Sequence, residues 1–202
     1  MFIAFEGGEG AGKSTQIELL KNYLTERGHD VELTREPGGT PVAEAMRDYV
    51  LNPANTIDAL EECFIIATGR ASHVAHRIRP ALAAGKTVIT DRFVYSSYVY
   101  QGIAGGLGLE KAKRINEPAI DGCEPDLIIL LDIEASTGVA RARQAKDGGD
   151  RLDQASMAFH EQVNAGYRTI VDDRWAVIDA NRDVAAVFDD IVHVMTDRGL
   201  CA

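Results

Sequence analysis

The sequence predicts an α/β fold in which a five-stranded parallel sheet is covered by helices on both faces. Short apolar runs alternate with segments of helical periodicity along the chain, a pattern typical of parallel strands joined by helices. All of these runs except the second are almost continuously apolar, as expected for strands buried on both sides. The five predicted strands are Phe2–Phe5, Val31–Thr34, Thr87–Thr90, Leu127–Leu131 and Trp175–Ile178.

The first helix is predicted to start at a glycine-rich loop directly after the first strand. Ile17, Leu20 and Leu24 recur at helical spacing on one face, and Gly28 is placed to end the helix. A later helix is marked by an apolar face of the same kind, made of Phe159, Val163, Tyr167 and Ile170.

A long helical region is predicted from about Ala59 to Ala84. Its apolar stripe consists of Ala67, Ala71, Val74, Ile78 and Leu82. Arg70, His73 and Arg77 flank that stripe at helical spacing. We expect His73 and Arg77 to lie on a solvated face of the helix, because polar helix residues are usually exposed.

The length and composition indicate one globular domain over residues 1–202. The chain is 46% hydrophobic and 26% charged, and no linker, repeat or low-complexity run divides it. Its net charge of −10 argues against a protein that wraps nucleic acid, since phosphate-backbone binding needs a basic face. Three widely spaced cysteines predict neither a disulfide framework nor a zinc site, and we find no signal peptide or membrane span. We therefore expect a cytoplasmic protein that binds neither nucleic acid nor membrane.

A phosphate-binding loop is predicted from Gly7 to Ser14, where the sequence reads GGEGAGKS. The segment fits a glycine, four residues and then Gly-Lys-Ser, and it lies between a buried strand and a helix as that motif requires. Its backbone N–H groups can turn towards phosphates, and the helix N-terminus adds a favourable dipole. Lys13 is then expected to reach the β- and γ-phosphates of a nucleotide, and the Ser14 hydroxyl to hold Mg²⁺.

The loop alone leaves three classes of protein open: a small-molecule kinase, a nucleotide-dependent switch and an ATP-driven motor. A guanine-specific switch normally carries an Asn-Lys-x-Asp segment, which the sequence lacks, and a motor usually needs a longer chain. The sequence therefore favours a small-molecule kinase. A non-catalytic nucleotide sensor, which would keep the loop for binding only, remains an alternative.

Further motifs follow the strands along the rest of the chain. They are Thr34-Arg35-Glu36-Pro37-Gly38-Gly39-Thr40, Asp91-Arg92-Phe93, Ser96-Ser97, Tyr100-Gln101-Gly102, Pro125-Asp126-Leu127, Leu131-Asp132 and Asp150-Arg151-Leu152-Asp153. In this order and spacing they resemble the bacterial thymidylate kinase family over essentially the whole chain. The resemblance implies a P-loop kinase fold with strand order 2-3-1-4-5, ATP-dependent phosphorylation of dTMP to dTDP, Mg²⁺ as cofactor and a homodimer. A kinase for another small nucleotide or metabolite remains the alternative enzyme.

The resemblance also implies which residues bind ATP and the metal ion. The expected ATP-binding residues are Gly7, Gly8, Glu9, Gly10, Ala11, Gly12, Lys13, Ser14, Thr15, Arg141 and Asn181. Ser14 and Asp91 are the expected metal-binding residues. Asn181 belongs to a turn after the last strand that is similar to the adenine-contacting turn of the family.

The acceptor site is expected around Arg92, at the carboxyl end of a central strand where open α/β sheets bind ligands. An arginine there can hold a monophosphate through paired N–H bonds. Glu9 would be repelled by phosphates unless it paired with Arg35, Arg92 or metal-bound water. The substrate-binding residues implied by the resemblance are Glu9, Arg35, Glu36, Pro37, Arg47, Ile66, Arg70, Arg92, Ser96, Ser97, Tyr100 and Gln101.

Ile66 departs from the pattern of the family. A phenylalanine that stacks on thymine usually lies four residues before the base-reading arginine, which here is Arg70. Isoleucine supplies an apolar wall but gives up an aromatic stacking contribution of about 1 kcal/mol. The breadth of base specificity is therefore left open by the sequence.

A mobile lid is expected over residues 141–153, and it should supply cations to the transferring phosphoryl group. Some family members place a basic residue inside the phosphate loop and others place it in the lid, and the loop position here is Gly10. The expected catalytic residues are Lys13, Glu9, Asp91, Arg92, Arg143, Lys146 and Arg151.

Overall fold

The chain forms a five-stranded, all-parallel sheet in the order β2-β3-β1-β4-β5, as the sequence predicts. A computed structural model describes residues 1–145 and 155–200. The strands are β1 (Phe2–Glu6), β2 (Val31–Arg35), β3 (Thr87–Asp91), β4 (Leu127–Asp132) and β5 (Trp175–Asp179). Each strand runs one residue beyond its predicted end, and each added residue is charged. The sheet therefore carries a row of ionisable side chains at its carboxyl edge.

Helices cover both faces of this sheet. They are α1 (Lys13–Glu26), α2 (Pro41–Leu51), α3 (Ala59–His73), α4 (Arg79–Ala83), α5 (Val94–Ser97), α6 (Leu109–Ile120), α7 (Ala135–Ala145), α8 (Met157–Thr169) and α9 (Val184–Asp197). Two π-helical segments, Val74–Ile78 and Tyr98–Ala104, continue α3 and α5. No helix in the described part of the chain is long and apolar enough to cross a membrane.

Local sequence signals set the limits of the helices that frame the site. Gly12 adopts a left-handed φ of 88° at the start of α1, and Gly28 does so with φ 89° just after its end. Asp58 and Glu61 form a reciprocal capping box at the start of α3. Apolar side chains from the strands and helices form two buried clusters, one on each face of the sheet.

The buried face of α3 differs from the predicted apolar stripe. Ala71 is exposed, whereas Arg70 and His73 are buried, with exposed fractions of 2% and 0%. The prediction of a solvated His73 is therefore wrong, and Arg77 is half-buried rather than fully solvated. The reason is tertiary: β2 and the loop after it present hydrogen-bond acceptors to this face, so polar side chains can be buried there without loss of partners.

The register places the loops after β1 and β3 side by side. Phe5 is paired with Asp91, and β1 lies between β3 and β4 at the centre of the sheet. The phosphate loop follows β1 and Arg92 follows β3, so both emerge at the same edge. Ligands bind at this edge in open α/β sheets.

Candidate active site

A cleft of about 820 Å³ opens at the carboxyl edge of the central strands. Its size is in the range of small-molecule sites. It is lined by Glu9, Gly10, Ala11, Gly12, Lys13, Ser14, Thr15, Arg35, Glu36, Pro37, Arg47, Val50, Leu51, Glu62, Ile66, Arg70, Asp91, Arg92, Phe93, Ser96, Ser97, Tyr100, Gln101, Arg141, Ala142, Arg182, Asp183 and Val184. Most of the residues predicted from the sequence are thus brought together around one continuous space.

The phosphate loop forms one wall of the cleft, and α1 starts directly from it. Gly7, Gly10 and Gly12 have φ angles of 143°, 66° and 88°, in the region that favours glycine. Gly7 does not line the cleft. The Lys13 ammonium is almost fully buried and donates to the Gly7 and Gly8 carbonyls at 3.3 and 3.2 Å. Burial lowers the pKa of Lys13, and the charge of Arg92 acts in the same direction. An anion bound in the cleft would offset both the burial of the Lys13 charge and its repulsion by Arg92.

Gly10 lies directly against α7. A Cβ atom added at Gly10 would meet the Gly138 carbonyl oxygen at 1.9 Å, and one added at Gly138 would meet the Glu9 carbonyl oxygen at 2.3 Å. Both are backbone atoms, so a side chain at either position would force the two segments apart. The loop position that the sequence analysis marks for a basic residue therefore has no room for one.

A hydroxyl and a carboxylate meet where the sequence predicts the metal ion. The Ser14 Oγ lies 3.3 Å from the Asp91 Oδ2. Both are hard oxygen donors of the kind that Mg²⁺ prefers, and such sites usually complete their ligands with water and substrate phosphates. No group of three or more His, Cys, Asp or Glu residues that could hold a metal occurs within residues 1–145 and 155–200. The donor set therefore fits Mg²⁺ carried with a nucleotide.

Arg92 lies beside the phosphate loop, where its Nη1 donates to the Gly7 carbonyl at 2.9 Å. Its φ of 70° is unusual for a residue other than glycine, and such strain is found mainly at functional sites. Its Nη2 donates to the Glu9 Oε1 at 2.8 Å and to the Tyr100 hydroxyl at 3.1 Å. The predicted pairing of Glu9 with Arg92 is confirmed. Arg35, the other arginine considered for Glu9, pairs with Glu44.

The fully buried carboxylate of Glu6 supports the Arg92 region from below. It accepts hydrogen bonds from the Phe93 N–H at 2.9 Å, the Ser96 hydroxyl at 2.6 Å and the Tyr167 hydroxyl at 2.8 Å. Burial raises the pKa of Glu6, while Arg92 and these hydrogen bonds lower it. Sequence reasoning missed this residue. The available signal was a carboxylate next to a continuously buried strand, which must find partners in the fold.

Arg70 is held by a second buried carboxylate, that of Glu36. The Arg70 Nε donates to the Glu36 Oε2 at 2.7 Å, and Nη1 donates to Ser97 and Asn116. The other oxygen of Glu36 lies 2.9 Å from the His73 Nδ1. Sequence reasoning missed His73 and Asn116, whose contacts with Glu36 and Arg70 join residues 37 and 46 positions apart along the chain.

The His73 ring is held from both sides by β2 and the loop after it. Its Nε2 lies 2.6 Å from the Thr34 hydroxyl, and a Cβ at Gly39 would meet the ring at 2.6 Å. Gly39 thus allows the loop to approach the helix closely. Arg77 continues this contact by donating to the Glu32 carboxylate and the Leu33 carbonyl.

Apolar and amide groups complete the part of the cleft between Arg92 and α3. Ile66 lines the cleft, whereas Phe64 is 54% exposed on another face of α3. Tyr100 and Gln101 come from the π-helical continuation of α5 and are both buried. The Oε1 of Gln101 has no hydrogen-bond partner among the described residues, although it is buried. A buried polar atom without a partner is unusual in a folded protein, and a bound ligand or an ordered water beside the cleft would satisfy it.

The far end of the cleft is formed by α7 and the turn after β5. Arg141 lines it and donates to the Ala180 carbonyl at 2.9 Å, and Arg182, Asp183 and Val184 complete the wall. Asn181 does not line the cleft: its side chain caps the turn by bonding to the Glu134 N–H and Asp179.

The predicted lid is only partly included in the described residues. Arg143 is exposed and lies outside the cleft lining of the described chain. Lys146 and Arg151, and with them most of the predicted 141–153 lid, lie outside the described residues.

Comparison with known proteins gives a consistent result over nearly the entire chain. The family model described as "Thymidylate kinase" matches residues 5–191. A thymidylate kinase of Halothermothrix orenii is 43% identical over 196 residues, which are 96% of this chain and 95% of the relative. Those of Geobacillus thermodenitrificans and Symbiobacterium thermophilum are 45% and 46% identical and cover 98% of this chain and 90% and 93% of their own lengths.

Proposed function

The chain belongs to the thymidylate kinase family, and we propose that the cleft at the carboxyl edge of its sheet is where it transfers a phosphoryl group from ATP to dTMP. Family membership gives the overall reaction, ATP-dependent phosphorylation of dTMP to dTDP. The observation that carries the assignment of the site is that Lys13 and Arg92 line one continuous cleft from adjacent strand ends. A donor phosphate on the loop and an acceptor phosphate on Arg92 would then face each other.

The donor half of the cleft is the phosphate loop and the α7 side. The loop N–H groups and the start of α1 bind the ATP phosphates, and Lys13 neutralises the β- and γ-phosphates. Ser14 and Asp91 would hold Mg²⁺, which would offset negative charge on the phosphates. Arg182, Asp183 and Val184 supply the wall for the adenine ring, in place of the Asn181 side chain.

The acceptor half binds dTMP between Arg92 and α3. Arg92 holds the monophosphate, and the Tyr100 hydroxyl lies beside it at the sugar. The buried Oε1 of Gln101 accepts from the N3–H of thymine, which satisfies the unpartnered amide oxygen. Arg70 donates to a base carbonyl, and Ile66 packs against the ring. Arg35, Pro37 and Arg47 close the entrance above the sugar and phosphate.

The reaction requires positioning and charge more than covalent chemistry. An oxygen of the dTMP phosphate attacks the γ-phosphorus of ATP, the bond from that phosphorus to the leaving ADP oxygen breaks, and dTDP and ADP form. Lys13 and Arg92 face the phosphates from two sides and stabilise the charge of the transferring group. Glu9 orients Arg92 across the loop.

Further cations come from α7 and the segment beyond it, because Gly10 has no space for a side chain. Arg141 supplies charge at the cleft wall, and Arg143, Lys146 and Arg151 belong to the proposed lid. Closure of that lid would exclude water and limit ATP hydrolysis. Alanine at Arg143 should lower kcat and leave the dTMP KM nearly unchanged.

We place the enzyme in the cytoplasm as a homodimer. Val42 and Tyr49 on α2 and Phe64 on α3 are 48%, 49% and 54% exposed, and α2 packs on α3. These side chains form the apolar surface for a second copy of the chain.

The proposed function is tested by turnover with a panel of acceptors in the presence of ATP and Mg²⁺. We expect dTMP to be the best substrate, followed by dUMP, with UMP, CMP and AMP far weaker. Lys13→Ala should abolish turnover on every acceptor while the protein stays folded. A different preferred acceptor would reassign the base site, and ATP binding without turnover on any of them would indicate a nucleotide sensor.

A further inference from the structure

We propose that Glu6 is a positioning residue for the acceptor phosphate, because its carboxylate orients the hydroxyls of Ser96 and Tyr167 so that both can accept from Arg92. The proposal rests on the proposed function, in which Arg92 holds the monophosphate. It assigns a role to the last residue of β1, which lies behind the cleft and lines none of it.

The geometry joins Glu6 to Arg92 through two hydroxyl groups. The Ser96 and Tyr167 hydroxyls both donate to the Glu6 Oε2, at 2.6 and 2.8 Å. Both oxygens also lie 3.2 Å from the Arg92 Nη1. The Phe93 N–H, which follows Arg92 directly, donates to the other carboxylate oxygen at 2.9 Å. One carboxylate thus holds both the backbone after Arg92 and the hydroxyls around its side chain.

The direction of each proton follows from the chemistry of the two ends. An ionised carboxylate only accepts hydrogen bonds, and a guanidinium only donates them. The hydroxyls between them must therefore donate their hydrogen bonds to Glu6 and accept hydrogen bonds from Arg92. The Ser96 and Tyr167 oxygens are 2.9 Å apart, and each hydroxyl has a single proton, so a hydroxyl that donated to its neighbour would do so in place of donating to Glu6; the order of donors would still run from Arg92 to Glu6.

This arrangement fixes one side of the Arg92 guanidinium. Nη1 is held by Ser96, Tyr167 and the Gly7 carbonyl, and Nη2 is the nitrogen that faces Glu9 and Tyr100 at the cleft. Paired N–H bonds to a phosphate need a defined orientation of the guanidinium plane. Burial raises the pKa of Glu6, as expected for a carboxylate without an arginine or lysine in direct contact.

The test is Glu6→Gln, which keeps the size of the side chain and replaces one accepting oxygen by an N–H₂ group. If the amide oxygen accepts from Phe93, the amide nitrogen donates to Ser96 and Tyr167 and competes with Arg92. We expect the dTMP KM to rise about tenfold, with the ATP KM changed less than twofold, as charge-assisted hydrogen bonds are lost. Tyr167→Phe should give a smaller rise in the same direction.

The double variant separates positioning from general support of the fold. If Glu6 acts through the hydroxyls, Glu6→Gln should raise the dTMP KM clearly less in a Tyr167→Phe background than in the native chain. Glu124→Gln is the matched control: Glu124, like Glu6, accepts from a tyrosine hydroxyl, but it lies outside the cleft and its other donor is Arg174. It should leave the dTMP KM unchanged.

The proposal is overturned if Glu6→Gln leaves the dTMP KM within twofold, raises both substrate KM values equally, or is additive with Tyr167→Phe. If Glu6→Gln does not fold, Tyr167→Phe decides alone, and an unchanged dTMP KM overturns the proposal. Arg92→Lys distinguishes this from failure of the proposed function. An unchanged dTMP KM in that variant would remove Arg92 from the acceptor site altogether, whereas failure of the Glu6 proposal alone leaves the Arg92→Lys effect intact.

Discussion

Two arginines line the same cleft and are held in opposite ways. Arg70 on α3 pairs at 2.7 Å with Glu36, a carboxylate whose second oxygen is held by His73. Its side chain is 1% exposed. Arg92 after β3 pairs at 2.8 Å with Glu9, which belongs to the phosphate loop, and its side chain is 15% exposed. Arg70 is thus paired with a carboxylate in the interior of the domain, and Arg92 with a carboxylate at the edge of the cleft.

The difference teaches how one residue type can serve two kinds of recognition. The charge of Arg70 is compensated before any ligand arrives, so it can act as a directional donor to a neutral base. Arg92 shares its carboxylate partner with the cleft, so a phosphate can enter its hydrogen-bond network. The variants below test this contrast between a structural and a ligand-facing arginine.

The largest expected effect is on stability, from Arg70→Met. This change leaves Glu36 buried without its cationic partner, and breaking such pairs costs about 3 to 5 kcal/mol. The free energy of unfolding, measured in urea, gives this loss of stability. Arg77→Met is the control on the next part of the same helix, because the Arg77–Glu32 pair is half-exposed and worth about 1 kcal/mol or less. An equal loss of unfolding free energy in the two variants would show that the Arg70–Glu36 pair stabilises the fold no more than a half-exposed pair does.

Arg92→Lys should show the reverse pattern. Lysine keeps the charge but not the planar fork, so we expect kcat/KM for dTMP to fall about 100-fold, with the ATP KM changed by less than a factor of about 3. The midpoint of urea unfolding should move little. Steady-state kinetics with each substrate varied in turn give the result. An equal rise in the KM values for dTMP and ATP would show that Arg92 does not act specifically on the acceptor.

His73→Asn should weaken the support behind Arg70. The smaller side chain cannot bridge Thr34 and Glu36 as the imidazole does, and a lost buried hydrogen bond costs about 1 to 3 kcal/mol. We expect that loss in urea unfolding together with a rise of a few fold, about 3 to 5, in the dTMP KM. His193→Asn, at an exposed position on α9, should change neither quantity. An unchanged stability in the His73 variant would mean that Glu36 is held without it.

The smallest expected effect is from Ile66→Phe. A ring at this position of the cleft wall could stack on thymine and tighten dTMP binding by about 1 kcal/mol, or about fivefold. Isothermal titration calorimetry measures it, with the exposed Phe64→Ile as the control. Weaker binding by a folded variant would show that the acceptor pocket is shaped around isoleucine.

The sequence predicts the sheet well because buried parallel strands and a phosphate loop are local patterns. It also predicts most residues of the cleft: the phosphate loop and Arg92 from their places after strands, and the residues on helices from the resemblance to the family. It fails for His73 and Glu6, and the cause is the same in both cases. Their partners are 37 and 39 residues away for His73 and between 87 and 161 residues away for Glu6. A polar residue in a helix or strand pattern is judged from its neighbours, which do not reveal such partners.

The contact between Gly10 and Gly138 bears on how a chain of this kind could change over generations. The obstacle at each position is the backbone of the other segment, so no single substitution at either position relieves it. A basic residue could enter the phosphate loop only after α7 had moved away, and that movement would first displace Arg141 from the cleft. A side chain at position 10 and the present place of Arg141 in the cleft wall are therefore mutually exclusive, and exchanging one for the other requires a shift of α7 rather than a single substitution.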